Sequence, residues 1–235
     1  MNTPKSFAAA LSQTCLPSVF NPYVDCCPIY DRLDAARVRK RNLVRCLEAA
    51  LAARVDTIWI ARDLGYRGGR RTGVPLTDEI HLGQAGILMG GIALDRATRG
   101  PMVAERTAAI VWSVLSRIGE PAFLWNIFPL HPHNPDDPFS NRRHTRAERD
   151  ATWPLLTALI AMIKPRRIIA IGRDSGVALA GLDIPVEPVR HPSYGGQAEF
   201  IAGVLQIYGF VPHPDRNETL ELPLAIAHAA TGAPA

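Results

Sequence analysis

The sequence predicts a single three-layer α/β domain whose central four-stranded, mainly parallel sheet is flanked by helices. Three observations predict it: short β-rich runs at 56–61, 122–125, 167–172 and 185–189, helical stretches between them, and Gly or Pro at their boundaries. The chain of 235 residues is long enough to bury one sizeable core. One domain is expected over 1–235, with an irregular amino-terminal arm at 1–29 and a peripheral tail at 212–235.

Residues up to about Ile29 are rich in Pro, Asn and Cys and show no sustained period, which reads as an arm with one short helix. From Asp34 to Arg54, Val38, Val44, Leu47 and Leu51 recur at near-helical spacing with Arg and Lys between them, the pattern of an amphipathic helix lying on a sheet. The first strand, Asp56 to Ala61, follows. Gly65 to Pro75 is too dense in glycine for helix or strand and reads as a loop that approaches something closely. Glu105 to Ile118 reads as helix and Ala122 to Trp125 as strand. Asn134-Pro135-Asp136-Asp137-Pro138 forces a loop, and Thr145 with Glu148 forms a capping box that opens a helix to about Ile163. Arg167 to Gly172 is the third strand and Ser175 to Ala180 a short helix. Pro185 to Val189 is the fourth strand, placed at an edge by its two prolines, and Ala198 to Tyr208 is the last helix.

The hydrophobic fraction of 47% and charged fraction of 20% are those of an ordinary globular protein. No apolar run reaches the roughly 20 residues of a membrane span, and no secretory signal is visible, so a cytoplasmic protein is expected. The net charge of +4 is modest, yet arginines cluster at 37–41, 67–71, 142–146 and 164–167. Such clusters suit a polyanion, because each neutralised phosphate releases counterions. Cys15, Cys26, Cys27 and Cys46 lack zinc or iron–sulfur spacing, so no metal and no cofactor are expected. His131-Pro132-His133 with Asp136 and Asp137 is a weak metal pattern that reads better as structure or as contact with a polyanion backbone.

Three of the runs lead into short polar signatures: Arg62-Asp63, Asn126, and His191-Pro192-Ser193. Ligands of parallel sheets bind beyond the carboxyl ends of the strands, so a carboxylate, a carboxamide and an imidazole are expected to converge on one pocket. Asp63 there can polarise a water or stabilise a cation, Asn126 can pair with a donor and acceptor, and His191 can hydrogen-bond a developing anion. These roles suit cleavage of a bond between a sugar carbon and a nitrogen leaving group.

Ile58 to Gly65, the Gly68 to Thr77 segment, Phe123-Leu124-Trp125-Asn126 and His191-Pro192-Ser193 together resemble the uracil-DNA glycosylase superfamily, in order and spacing, over roughly residues 30 to 210. The resemblance implies a monofunctional glycosylase that extrudes deoxyuridine from DNA and leaves an abasic site. It assigns Asp63 to the attacking water, Asn126 to the Watson–Crick edge of uracil and His191 to the leaving anion. Ser193 and neighbouring amides, including that of Gly195, would grip flanking phosphates, with Arg62, Arg67, Arg70 and Arg71 as further DNA contacts. Uracil-containing and abasic DNA are the implied partners of a monomer.

The chain departs from the family pattern in several places. Where the best-known branch has a tyrosine beside the C5 edge of uracil, this sequence has Gly65, with Tyr66 one place further on. Leu76 replaces the usual stacking aromatic unless Tyr66 or Phe128 supplies the ring, and Tyr194 and Gln197 are both candidates for the wedge. The iron–sulfur branch spreads four cysteines over its first half, which this chain does not. Arg142-Arg143-His144 superficially resembles the insertion of a covalent branch, but its position after Asn126 gives it little weight. Two other readings compete: an abasic-site or damaged-DNA binding protein with little turnover, and a nucleotide phosphohydrolase whose loop lacks the expected Gly-Lys-Ser/Thr.

Overall fold

A computed structural model describes residues 1–210 of the chain. The tail at 212–235 lies outside the described residues.

The amino-terminal arm is more ordered than its composition suggests. Thr3 and Ser6 form a reciprocal capping box that opens α1 (Pro4–Ser12), with proline at the position where its missing N–H is not needed. Phe7, Ala8 and Leu11 of this helix are fully buried, and the Phe7 ring lies 5.6 Å from that of Trp125. β1 (Val19–Phe20) later pairs antiparallel with β4 (His131–Pro132), a small ladder that has no signature in the sequence.

The main sheet comprises β2 (Thr57–Asp63), β3 (Phe123–Phe128), β5 (Arg167–Ile171) and β6 (Val186–Val189) in the order β3-β2-β5-β6. Every neighbouring pair is parallel. β6 lies at an edge, where Pro188 can lack an N–H without breaking an interior ladder.

Because successive side chains point to opposite faces, the strands divide their residues between two apolar layers. Ile58, Ile60, Phe123, Trp125, Ile168 and Ala170 join one core with α1, α2 (Ala35–Ala52), α6 (Arg146–Ile163) and α7 (Arg173–Leu179). Trp59, Ala61, Leu124, Ile169 and Ile171 join the other with α5 (Arg106–Ile118) and α8 (Gln197–Ile207). The expected three layers are present.

Two expectations need correction. Part of the glycine-rich loop is one helical turn, α3 (Gly69–Thr72), and another helix, α4 (Leu82–Leu88), follows it. Gly73 ends α3 at φ +71°, and a Cβ there would come within 2.5 Å of Arg39. The strands also run further than their apolar runs: β2 includes Asp63, and β3 continues two residues past Asn126.

Candidate active site

Asp63 and Asn126 lie on adjacent strands, near their carboxyl ends. Asn126 continues the alternation of Leu124 on β3 toward the layer of α5 and α8, whereas the Asp63 carboxylate turns to Arg62 and to His144, whose ring lies over Phe128 of the other core. Asn126 pairs in register with Ala61 and is only 1% exposed. It therefore lies within its strand rather than at the end. Its Nδ2 donates to the Asp63 carbonyl at 3.0 Å, while its Oδ1 is buried without a hydrogen-bond partner among the described residues. An orphaned buried acceptor is costly, which makes Oδ1 ready to receive a ligand N–H.

The Asp63 carboxylate is held from both sides. Arg62 Nε lies 2.5 Å from Oδ2, and His144 Nδ1 makes a close contact with Oδ1. Arg62 also donates to Asp174 Oδ2 at 2.9 Å, and Arg143 reaches the same oxygen at 2.8 Å. The hydrogen bond from Arg62, aided by the charges of Arg143 and His144 and opposed by burial, holds the Asp174 carboxyl below its usual range. His144, which the sequence reading set aside, is thus a direct neighbour of the candidate catalytic acid. Its spacing from Asp63 gave no local signal, because the loop before α6 folds back across 80 intervening positions.

His191 follows β6. The backbone N–H of Ser193 donates to its Nδ1 at 3.1 Å, which leaves the imidazole proton on Nε2 when the ring is neutral. Burial, reinforced by the nearby cations Arg62 and Arg190, lowers its pKa and favours that neutral form. Gly172, at φ +88°, lets the ring approach: a Cβ there would stand 3.2 Å from the His191 Cβ. The site thus offers an oriented carboxylate, an unpaired amide oxygen and a neutral N–H donor.

No family model matches the chain. It is 34% identical over 119 residues to the type-4 uracil-DNA glycosylase of Pyrobaculum aerophilum, an alignment covering 48% of this chain and 56% of that protein. The chain thus spans just over half the length of the curated relative it matches. Its fold is similar to the crystal structure of wild-type SMUG2 from Pedobacter heparinus, with a TM-score of 0.62 at 12% identity, covering 89% of this chain and 98% of the other. The resemblance to the uracil-DNA glycosylase superfamily holds.

The other positions that the superfamily pattern singled out are distributed unevenly. Tyr194 is 97% exposed at φ +52°, beside Gly195 at φ +79°, on a tight turn just before Gln197 opens α8. Arg67 is exposed and donates to the Tyr66 hydroxyl at 2.8 Å with its guanidinium over that ring. The Tyr66 ring lies 6.3 Å from Phe139.

Five expectations about contacts with DNA or base are corrected by burial and pairing. Arg70 is 2% exposed, stacked on Phe20 at 4.0 Å and bonded to His131 Nδ1 at 3.0 Å. Arg71 is buried over Tyr30, with Nε bonded to Glu79 Oε2 at 2.9 Å. Both are internal cations. Leu76 packs inside the cluster of Trp59 and Trp112, and Phe128 is fully buried beneath His144, so neither presents an open stacking face. Arg62 is divided between Asp63 and Asp174 rather than available for phosphate.

His131 has both ring nitrogens engaged, Nδ1 by Arg70 and Nε2 by the Ser140 carbonyl at 2.9 Å. Burial and the cation beside it push its pKa down to about 3. It is a neutral structural histidine. An apolar cavity lined by Leu43, Cys46, Trp112 and Phe123 lies near the amino end of β3, away from the polar site.

Proposed function

We propose that this protein is a monofunctional DNA glycosylase that hydrolyses the N-glycosidic bond of deoxyuridine extruded from DNA, leaving an abasic site. The observation that carries the reading is the placement of Asp63 and Asn126 near the carboxyl ends of adjacent strands, joined by the hydrogen bond from Asn126 Nδ2 to the Asp63 carbonyl, with the His191 loop at the same end of the sheet. In this reading Asn126 Oδ1 accepts the imide N3–H of uracil, and its remaining amide proton meets O4. As the C1′–N1 bond breaks, the bonding electrons pass to the base. Positive charge grows on the sugar, where the Asp63 carboxylate opposes it, and negative charge spreads to O2, where His191 Nε2–H donates. Water adds to C1′ and its proton passes to Asp63, which His144 and Arg62 hold in place.

A neutral His191 suits this work, because it stabilises the base anion by a hydrogen bond without first having to acquire a proton. Purified protein incubated with a uracil-containing oligonucleotide should release free uracil and leave an alkali-labile strand. An intact oligonucleotide would sink the reading. Tight binding to abasic DNA without release of base under excess substrate would instead favour a binding protein with little turnover. That alternative draws support from the pairing of both Asp63 oxygens.

A further inference from the structure

Glu105 carries a carboxyl group that nothing in the fold uses. It stands at the amino end of α5, yet its side chain makes no capping hydrogen bond and none of any other kind among the described residues. Only its backbone is engaged, with its N–H donating to Asp78 Oδ2 at 2.6 Å. The side chain turns instead against the loop that follows β2. A Cβ on Gly65 would stand 2.5 Å from Glu105 Oε1, and one on Gly68 would clash with Oε2 more severely. The absence of side chains at both positions makes room for this carboxyl group.

Its placement puts it in the pocket wall. α5 lies on the face of the sheet that Leu124 and Asn126 share and precedes β3 in the chain, so its amino end falls at the carboxyl end of the strands. Gly65 is two residues beyond Asp63. A pyrimidine bound as proposed above has N1 on the sugar, O2 at His191 and N3 with O4 at Asn126. The C5–C6 edge is what remains for the loop at 65–68, where the Glu105 carboxyl fills the space.

We infer that Glu105 is a specificity-determining residue of the base pocket, whose carboxyl group lies beside C5 of the extruded base and excludes a C5 methyl. Bulk at that point leaves little room for the methyl, and an apolar group would cover the carboxyl without giving it a hydrogen bond. Burial and the neighbouring Asp78, opposed by Arg67, push the Glu105 carboxyl up to about 7, so near neutrality much of it is uncharged. A neutral wall does not repel the uracil anion.

This inference rests on the glycosylase reading, so its test separates the two. Binding is measured to oligonucleotides carrying 2′-fluoro-deoxyuridine or 2′-fluoro-thymidine, which resist cleavage, alongside excision of uracil and of mismatched thymine. Glu105→Ala should narrow the preference for uracil over thymine by about ten- to two-hundredfold, the span one methyl is worth in a pocket. Glu105→Gln, nearly the same size, should keep the preference, and a single cooperative melting transition in each variant confirms folding. If Glu105→Ala leaves the uracil-to-thymine ratio as it was, or if neither base is preferred by the unaltered protein, the inference is overturned. If the ratio shifts in binding while no base is ever excised, the inference stands and the catalytic reading falls.

Discussion

His144 Nδ1 rests against Asp63 Oδ1 on the side of the carboxylate opposite Arg62. The two donors fix the plane of the carboxyl group and leave its remaining lone pairs for a water. His144→Ala should lower kcat about tenfold or more while KM stays nearly constant, since acid–base groups work through their orientation. His144→Asn, whose Nδ2 donates from close to the same point, should recover part of the loss. Single-turnover kinetics on uracil-containing DNA would show both effects.

Replacing the reacting groups themselves should cost more. Asp63→Asn is expected to slow uracil release about 10²–10⁴-fold. His191→Ala is expected to cost about 10²–10³-fold, the loss typical of one donor to a developing anion. Binding of an abasic oligonucleotide by both variants, measured by fluorescence anisotropy, should remain within a few-fold of the unaltered protein.

Arg71 and Arg67 are close in sequence and opposite in role. Arg71→Ala removes one of the two cations paired with buried Glu79, leaving Arg96, and should destabilise the fold by about 1.5–3 kcal/mol in urea titration. Arg67→Ala should leave stability unchanged. If Arg67 contacts phosphate, this change lowers the slope of log affinity against log salt by about one.

Tyr194 stands clear of the fold beside the His191 loop. If it fills the stack vacated by the base, Tyr194→Ala should slow excision from duplex far more than from single strands, because only the duplex requires unstacking and unpairing. Equal loss in both contexts would assign it to backbone contact instead.

Two buried groups give stability opposite slopes with pH. The unfolded chain protonates His131 near 6.5 while the folded chain resists until about 3, so this histidine makes the fold less stable as pH falls through that window. Glu105 is raised from 4.5 to about 7, so the folded chain holds its proton longer and loses stability as pH rises across that window. Glu105→Gln should therefore raise the melting temperature at pH 8 relative to pH 5, measured against the unaltered protein at each pH. His131→Gln should flatten the acid side.

The sequence by itself determined the layers and the polar triad. Alternating and helical periods depend on neighbours a few residues apart, so the sheet strands, α5, α6 and α8 were legible, as was the capping box of Thr145 and Glu148. Asp63, Asn126 and His191 were visible because each follows or interrupts a β-rich run. Only the tertiary structure decided which arginines face water: Arg67 and Arg71 look alike in sequence, but Glu79 and Tyr30 draw one of them inside. It likewise decided that His144 meets Asp63 and that Glu105 occupies the space left by Gly65 and Gly68. These are contacts between segments far apart in the chain, and no local period or spacing encodes a distance that only packing closes.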